Sequence, residues 1–285
     1  MRLTPIHKSW GTIVEFDNPL DFFNESTDYW RQLIYQRKLL VFKKMNFTEL
    51  DYAKFGHSFG KPWNQQDYIY SNERSITLSE NDKTYHITEF SNKIHSTKII
   101  SNDVMAWHAD IPNRKENPFP HRALWIVKNP NNVESGNTYW LNIEDGIEYL
   151  SPKLKELISR VTILQQSWYS MGTDEQLHDF IKIHPVTGNK SLRLNYYVRH
   201  GHLNAWIKEV YIDNIKQLDC SLIQTYIDEL LEHPELYHKH VWDTYDIAIY
   251  DNYSFIHGRT KLVLGSDVSD NERKFYRMNI DHIKI

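Results

Sequence analysis

The residues with the clearest chemical potential are His108 and Asp110, in the stretch Trp107-His108-Ala109-Asp110. They lie two positions apart, and on an extended backbone this spacing projects both side chains to the same side. His257, far along the chain, is the third candidate. Two imidazoles and one carboxylate on one face of a divalent metal leave the opposite positions open, which is typical of non-haem Fe(II) oxygenases. The sequence therefore predicts a metal site formed by His108, Asp110 and His257.

A histidine two positions before an acidic residue is, alone, a weak indication of a metal site. With 15 His and 37 acidic residues in 285, composition alone produces about two such pairs. The chain contains two, and the other is His233-Pro234-Glu235, where Pro234 ends a helical pattern. The metal prediction therefore depends on the residues that surround His108.

Composition bounds the class of protein. A chain of 285 residues with 40% hydrophobic and 25% charged residues is expected to form one domain over 1–285. Its net charge of −4 argues against a nucleic-acid or anionic-membrane partner. The single cysteine, Cys220, excludes an intramolecular disulfide. There is no signal-peptide pattern and no membrane-length apolar stretch, so a cytoplasmic location is expected.

Hydrophobic periodicity predicts the elements that position these side chains. Helices are expected over 27–36, from an N-cap at Asn46 to Ser58, over 152–158 and over 222–231. Strands are expected at 38–43, 75–78, 84–88, 122–128, 161–169, 191–197, 239–242, 246–250 and 273–280, and a turn that leads into another strand is expected at 135–141.

The segment 63–102 is polar, rich in aromatic residues and broken by short strand-like pieces. Long irregular segments in compact domains are often functional lids or mobile surface. Because this segment leads directly into the His108 motif, we expect it to be an active-site excursion. Its candidate substrate-binding residues are Asp67, Tyr68 and Tyr70.

Several motifs in a fixed order resemble one enzyme family. They are Trp107-His108-Ala109-Asp110, the turn Gly136-Asn137-Thr138, the turn His184-Pro185-Val186-Thr187-Gly188, and Asp251-Asn252 ahead of His257. With these landmarks the chain resembles, over nearly its whole length, the taurine dioxygenase-like (TauD/TfdA) Fe(II)/2-oxoglutarate-dependent dioxygenases. The resemblance implies a mainly β protein with flanking helices, whose core is a distorted double-stranded β-helix, a jelly roll (cupin-like).

The resemblance also implies roles for single residues. The metal ligands for Fe(II) would be His108, Asp110 and His257. Arg273 matches the arginine that binds the distal carboxylate of 2-oxoglutarate, a task for which the guanidinium fork is suited, and Thr138 matches the hydroxyl that assists it. Arg277 matches a second arginine that faces an anionic group of the substrate, whereas Arg259 is interpreted as structural. The chain departs from the family at Tyr245, where a glycine is usual.

The function implied is that of an oxidoreductase, a dioxygenase that uses O2 and 2-oxoglutarate and releases succinate and CO2. Its substrate would be a small anionic or zwitterionic molecule. Asp110 favours hydroxylation because relatives that halogenate lack this carboxylate; desaturation and oxidative cleavage stay open. One alternative is a metal-dependent hydrolase or isomerase on the same fold, and another is a non-catalytic binding protein, which would be expected to have lost a ligand. A homo-oligomer is compatible with the aromatic content.

Overall fold

The computed structural model describes residues 1–62, 74–91, 104–110, 121–129, 135–167, 174–194, 205–263 and 272–281. The candidates Asp67, Tyr68 and Tyr70 lie outside these residues. In the described part of the chain, no helix is both long and apolar enough to cross a membrane.

Nineteen strands account for most of the described regular structure. In chain order they are β1 (Arg2–Pro5), β2 (Thr12–Glu15), β3 (Leu39–Phe42), β4 (Lys61–Pro62), β5 (Arg74–Glu80), β6 (Lys83–Ser91), β7 (Met105–His108), β8 (His121–Lys128), β9 (Thr138–Asn142), β10 (Val161–Ser167), β11 (Asp174–Asp179), β12 (Ile181–Ile183), β13 (Lys190–Leu192), β14 (Ala205–Ile212), β15 (Ile215–Lys216), β16 (Tyr237–His240), β17 (Ile247–Asp251), β18 (Phe255–Arg259) and β19 (Lys274–Asp281).

Two of the sheets matter most for the site. The large sheet runs in the order β1-β2-β3-β17-β8-β19-β6-β5, with β4 also paired to β19. The small sheet has the order β16-β9-β18-β7, and the remaining strands form the sheets β11-β10-β14-β15 and β12-β13. The expected mainly β, jelly-roll architecture is confirmed.

The helices pack against this framework. They are α1 (Thr27–Arg37), α2 (Glu49–Phe59), α3 (Pro152–Leu157) and α4 (Ser221–Leu231), with short 3-10 helices at Pro19–Asn24, Asp145–Tyr149 and Pro234–Leu236. All four helices were predicted, but the N-cap of α2 was wrong. Thr48, not Asn46, caps it, because the Thr48 and Asp51 side chains each accept a hydrogen bond from the other residue's backbone N–H. This reciprocal pair satisfies two N–H groups that a helix start otherwise leaves unbonded.

Side-chain alternation along the large sheet decides which residues can face the site. In β17, Ile247 and Ile249 belong to the core cluster that includes residues of α1 and α2. Ala248 and Tyr250 belong instead to a cluster with Trp140 of the small sheet. Successive strand residues point to opposite faces, so one face of β17 meets the helices and the other meets the small sheet. Burying one such large side chain contributes about 1.5–3 kcal/mol.

The middle of the segment 63–102 is regular structure. Strands β5 and β6 form an antiparallel hairpin, and β6 pairs with β19. Asn81 and Asp82 connect the two strands with φ of 47° and 62°, the left-handed backbone that tight hairpin turns require and that Asn and Asp tolerate. This hairpin therefore extends the large sheet beyond β19.

The backbone conformation of Tyr245 shows why a glycine is usual at this position in the family. Its φ of 71° lies in the left-handed region that glycine adopts without steric cost and other residues seldom occupy. Tyr245 N–H donates to the Ile126 carbonyl and its own carbonyl accepts from Met45 N–H. These hydrogen bonds maintain the turn that leads into β17 without a glycine.

Candidate metal and cosubstrate site

The three residues predicted as metal ligands lie together. His108 of β7 and His257 of β18 are directly opposite each other in neighbouring antiparallel strands, and Asp110 follows β7 by two positions. One ligand atom from each residue lies within 4.8 Å of the others, and all three residues are buried. The Nε2 atom of His257 is 3.4 Å from Asp110 Oδ2, and that of His108 is 3.9 Å from Asp110 Oδ1. This donor set matches the one that the sequence predicted.

Electrostatics keep the three side chains in the forms that bind a metal. Burial lowers the pKa of His108 and of His257 below the usual value for histidine. Although burial opposes its ionisation, Arg122, with His257 and His108, holds the pKa of Asp110 well below its usual range. The Nδ1 atom of His108 is 2.8 Å from the Ala106 carbonyl oxygen. Because Nδ1 must donate there, Nε2 keeps the lone pair that a metal needs.

Asp110 is not part of a strand, and Asn252 holds its backbone. The Asn252 side chain accepts a hydrogen bond from Asp110 N–H at 2.9 Å and donates to the Asp110 carbonyl at 2.8 Å. Asn252 lies five positions before His257, in the turn between β17 and β18. Two of the three candidate ligands are therefore positioned by the same short segment.

A buried polar network supports that turn. His184 Nδ1 accepts hydrogen bonds from the backbone N–H groups of Val186 and Thr187, so its proton is on Nε2. Nε2 donates to Asp251 Oδ2 at 2.8 Å, and Ser254 Oγ lies 2.9 Å from the same oxygen and 2.7 Å from Glu144 Oε2. Two of the motifs noted in the sequence, the His184 turn and the Asp251-Asn252 pair, thus meet behind the site.

His121, fully buried beside this network, makes stability depend on pH. Burial and the nearby His184 lower its pKa to about 4, although Asp251 opposes the shift. Between pH about 6.5, the usual histidine pKa, and about 4, the unfolded chain binds a proton that the folded protein excludes, so stability decreases as pH falls through this window. The His121→Gln variant should lose stability less steeply, by up to about 1.4 kcal/mol per pH unit, in denaturant titrations of the metal-free protein.

The neighbouring Asp251 does not interfere with this measurement, because its depressed pKa affects stability only below the pKa of the carboxyl in the unfolded chain, which is about 3.9. His233→Gln, which changes a partly exposed histidine, serves as the control. Equal slopes for wild type and His121→Gln between pH 6.5 and 4 would contradict this assignment.

Of the predicted cosubstrate residues, Thr138 begins β9 of the small sheet, and Arg273, which immediately precedes β19 of the large sheet, contacts the turn that leads into β9. Arg273 is buried and its Nη1 donates to the Gly136 carbonyl at 2.5 Å. Gly136 has a φ of 66°, and a Cβ there would lie 1.7 Å from Arg273 Nη1, so only glycine fits. Burial and the charge of nearby Arg259 lower the pKa of Arg273 to about 9. A buried cation beside a second cation favours an anionic ligand.

Thr138 has an unforeseen partner. The indole N–H of Trp242 donates to Thr138 Oγ1 at 2.9 Å, and both residues are buried. Because an indole can only donate, the Thr138 oxygen is the acceptor in this bond. The hydroxyl proton of Thr138 is then directed to a different group.

Arg277 faces the same interior as Asp110. Its guanidinium carbon lies 4.4 Å from the ring centroid of Phe90, in the β5–β6 hairpin, and its charge contributes to the lowered pKa of Asp110. Arg277 is partly exposed whereas Arg273 is buried.

The sequence analysis did not identify Arg122, Tyr250 or Asn279 as site residues. Arg122 Nη1 is 2.5 Å from Asp110 Oδ1, and the Tyr250 hydroxyl is 3.1 Å from Asp110 Oδ2. One signal was available, since Arg122 directly precedes the apolar run Ala123 to Val127 of a predicted strand, and a buried charge requires a partner. No comparable signal distinguished Tyr250 from the other aromatic residues of the core.

Comparison with known proteins gives a consistent result. The family model for "Taurine catabolism dioxygenase TauD, TfdA family" matches residues 2–279. A protein described as an alkylsulfatase, from Acinetobacter baylyi, is 21% identical over 281 residues, covering 90% of this chain and 77% of that protein.

Solved structures with the same fold include a taurine dioxygenase from Burkholderia xenovorans, with a TM-score of 0.65 and 17% identity, covering 98% of this chain and 90% of that one. The PvcB protein from Pseudomonas aeruginosa has a TM-score of 0.67 and 17% identity, with 98% and 91% coverage. AAD-2, solved with Mn(II) and N-oxalylglycine, has a TM-score of 0.64 and 14% identity, with 99% and 98% coverage.

Proposed function

Because the chain belongs to the taurine catabolism dioxygenase TauD/TfdA family, we propose that it is an Fe(II)- and 2-oxoglutarate-dependent dioxygenase that hydroxylates a C–H bond of a small anionic or zwitterionic substrate. The observation that carries this proposal is the buried set of His108, Asp110 and His257, whose ligand atoms lie within 4.8 Å of one another. The family match over residues 2–279 supports treating 1–285 as one catalytic domain.

The residues present fit an iron ion. His108 Nε2, His257 Nε2 and one carboxylate oxygen of Asp110 would hold it, in the two-histidine, one-carboxylate set that leaves three coordination positions open. When bound, Fe(II) supplies the redox chemistry that couples decarboxylation of 2-oxoglutarate by dioxygen to oxidation of a C–H bond. The protein contributes a buried, oriented site in which competing reactions with water are suppressed.

Arg273 and Thr138 are proposed to bind the distal carboxylate of 2-oxoglutarate. Arg273 is buried and anchored by the Gly136 carbonyl, and its planar guanidinium has the fork geometry that pairs with a carboxylate. Trp242 occupies the Thr138 oxygen as a donor, which leaves the threonine proton available for a carboxylate oxygen. Both side chains would therefore present donors to the cosubstrate.

Arg277 is proposed to bind an anionic group of the substrate. It is partly exposed and lies over Phe90, and its charge contributes to the lowered pKa of Asp110. Taurine and alkyl sulfates, which appear in the names of two similar proteins, both carry sulfur oxyanions. We expect sulfonates, sulfate esters and carboxylates to be the substrate classes to screen first.

Anaerobic titration of the Fe(II) protein with 2-oxoglutarate tests the proposal. Chelation of the iron by the keto acid should produce a weak visible absorption band that saturates with added cosubstrate. Succinate, which lacks the keto group, is the control and should produce no band. The absence of a band in a folded, iron-loaded protein would contradict the proposal and favour a metal-dependent hydrolase or isomerase, which needs the triad but no 2-oxoglutarate.

A further inference from the structure

Arg122 connects the large sheet to the proposed metal site. It lies in β8, is only 7% exposed, and its Nη1 is 2.5 Å from Asp110 Oδ1. Its Nε donates to Asn279 Oδ1 at 3.0 Å. Asn279 of β19 is the register partner of Arg122 in the sheet. Asn279 of the neighbouring strand therefore anchors the Nε side of the guanidinium, and the Nη1 side points at Asp110, the candidate metal ligand.

The second carboxylate oxygen of Asp110 also has a donor. The Tyr250 hydroxyl is 3.1 Å from Asp110 Oδ2 and 3.1 Å from His257 Nε2. When His257 Nε2 binds a metal its lone pair is used, so the hydroxyl can then donate only to the carboxylate. Arg122 and Tyr250 both belong to the large sheet, and together they contact the two oxygens of Asp110.

These contacts are better explained by orientation of the Asp110 carboxylate than by neutralisation of its charge. A cation beside the carboxylate reduces the negative charge that attracts a metal ion, which by itself weakens metal binding. A carboxylate that is free to rotate must lose that freedom when it binds the metal, whereas one already held does not. Asn279 is uncharged, so its hydrogen bond to Arg122 changes the direction of the guanidinium and not the charge of the site.

We propose that Arg122, oriented by Asn279, is a positioning residue that fixes the Asp110 carboxylate for metal binding. This inference rests on the proposed metal site but not on the identity of the cosubstrate. It accounts for a buried charged residue in β8 that neither the cosubstrate pocket nor the core requires.

The affinity of the purified protein for Co(II) tests the role without any turnover. Arg122→Met and Asn279→Leu should each weaken Co(II) binding by about 10- to 100-fold, the loss typical for groups that orient metal ligands, and should change the visible Co(II) spectrum. Arg193→Met, which removes another partly buried arginine, should bind Co(II) like wild type. Unchanged or tighter binding in Arg122→Met, or wild-type binding in Asn279→Leu, would overturn the proposal.

A rescue experiment covers the case in which Arg122→Met does not fold. In Asp110→Ala the Arg122 guanidinium loses its carboxylate, and added formate should take that place and restore part of the Co(II) affinity. The same formate should not help Asp110→Ala combined with Arg122→Lys, because an ammonium cannot bond formate and Asn279 in the fork geometry of arginine. Equal rescue of both variants, or rescue of neither, would contradict the proposal.

The two proposals fail in different ways. A wild-type protein that binds Co(II) but shows no 2-oxoglutarate band would contradict the dioxygenase function and leave the role of Arg122 intact. A normal 2-oxoglutarate band together with unaltered Co(II) binding in both variants would contradict only the role of Arg122.

Discussion

Replacement of His257 by alanine should abolish Fe(II)- and 2-oxoglutarate-dependent succinate formation. His257 offers one of three ligand atoms in a buried site, and no other histidine or acidic residue joins that group within the described residues. Because indirect partners of metal ligands already cost about 10- to 100-fold when lost, we expect the loss of a ligand to exceed 100-fold. Succinate released per protein, with the iron content determined in parallel, measures the effect; His108→Ala and Asp110→Ala should behave alike.

His233→Ala is the matched control for this experiment. His233 belongs to the second stretch of the chain in which a histidine lies two positions before an acidic residue, and it contacts Tyr149 rather than the triad. This variant should keep wild-type iron content and turnover. Full turnover by any of the three triad variants would show that the triad is not the metal site.

Replacement of Arg273 by methionine should weaken 2-oxoglutarate binding by about 30-fold or more. Removing one member of a buried, hydrogen-bonded charge pair costs about 2–5 kcal/mol, and 2 kcal/mol corresponds to a factor of about 30 in Kd. Arg273→Lys should lie between this variant and wild type, since it keeps the charge but not the fork. The anaerobic chelate band, followed as 2-oxoglutarate is added, reports the Kd directly.

Arg277→Met also removes one positive charge, four positions from Arg273, and is therefore the matched control for a general effect of charge. Its partly exposed guanidinium faces Phe90 rather than Gly136, so its Kd for 2-oxoglutarate should stay near that of wild type. An equal increase of the Kd in both variants would indicate a general effect of charge and would remove the specific role proposed for Arg273.

The sequence was sufficient where the signal is local or where a family motif spans distant segments. Periodicity placed α1 over 27–36 against an observed Thr27–Arg37. No local pattern could pair the His108 strand with the His257 strand. The order of the family motifs predicted that these two residues lie together. The N-cap of α2 was wrong because Asn46 and Thr48 both satisfy the capping preference, and only the backbone geometry distinguishes them.

Contacts between strands from different parts of the sheet were beyond sequence reasoning. Arg122 and Asn279 become neighbours only through the register of β8 with β19, and a shift of that register by one residue would place the two side chains on opposite faces of the sheet. The donation from Trp242 to Thr138 likewise depends on side-chain directions across the core. Asp67, Tyr68 and Tyr70 stay predictions, since they lie outside the described residues.

The pairing of His108 with His257 gives a bound metal a mechanical role. In the described part of the small sheet, β7 is an edge strand of four residues, and it is joined to β18 by an irregular ladder with only two paired positions. Short edge segments with few hydrogen bonds are the parts of a fold that open first. An ion held by both histidines would fasten this edge to the centre of the sheet. Metal binding would then oppose the opening of this edge, because any ligand that binds only the closed form stabilises that form. Tighter metal binding would mean less local fraying of β7.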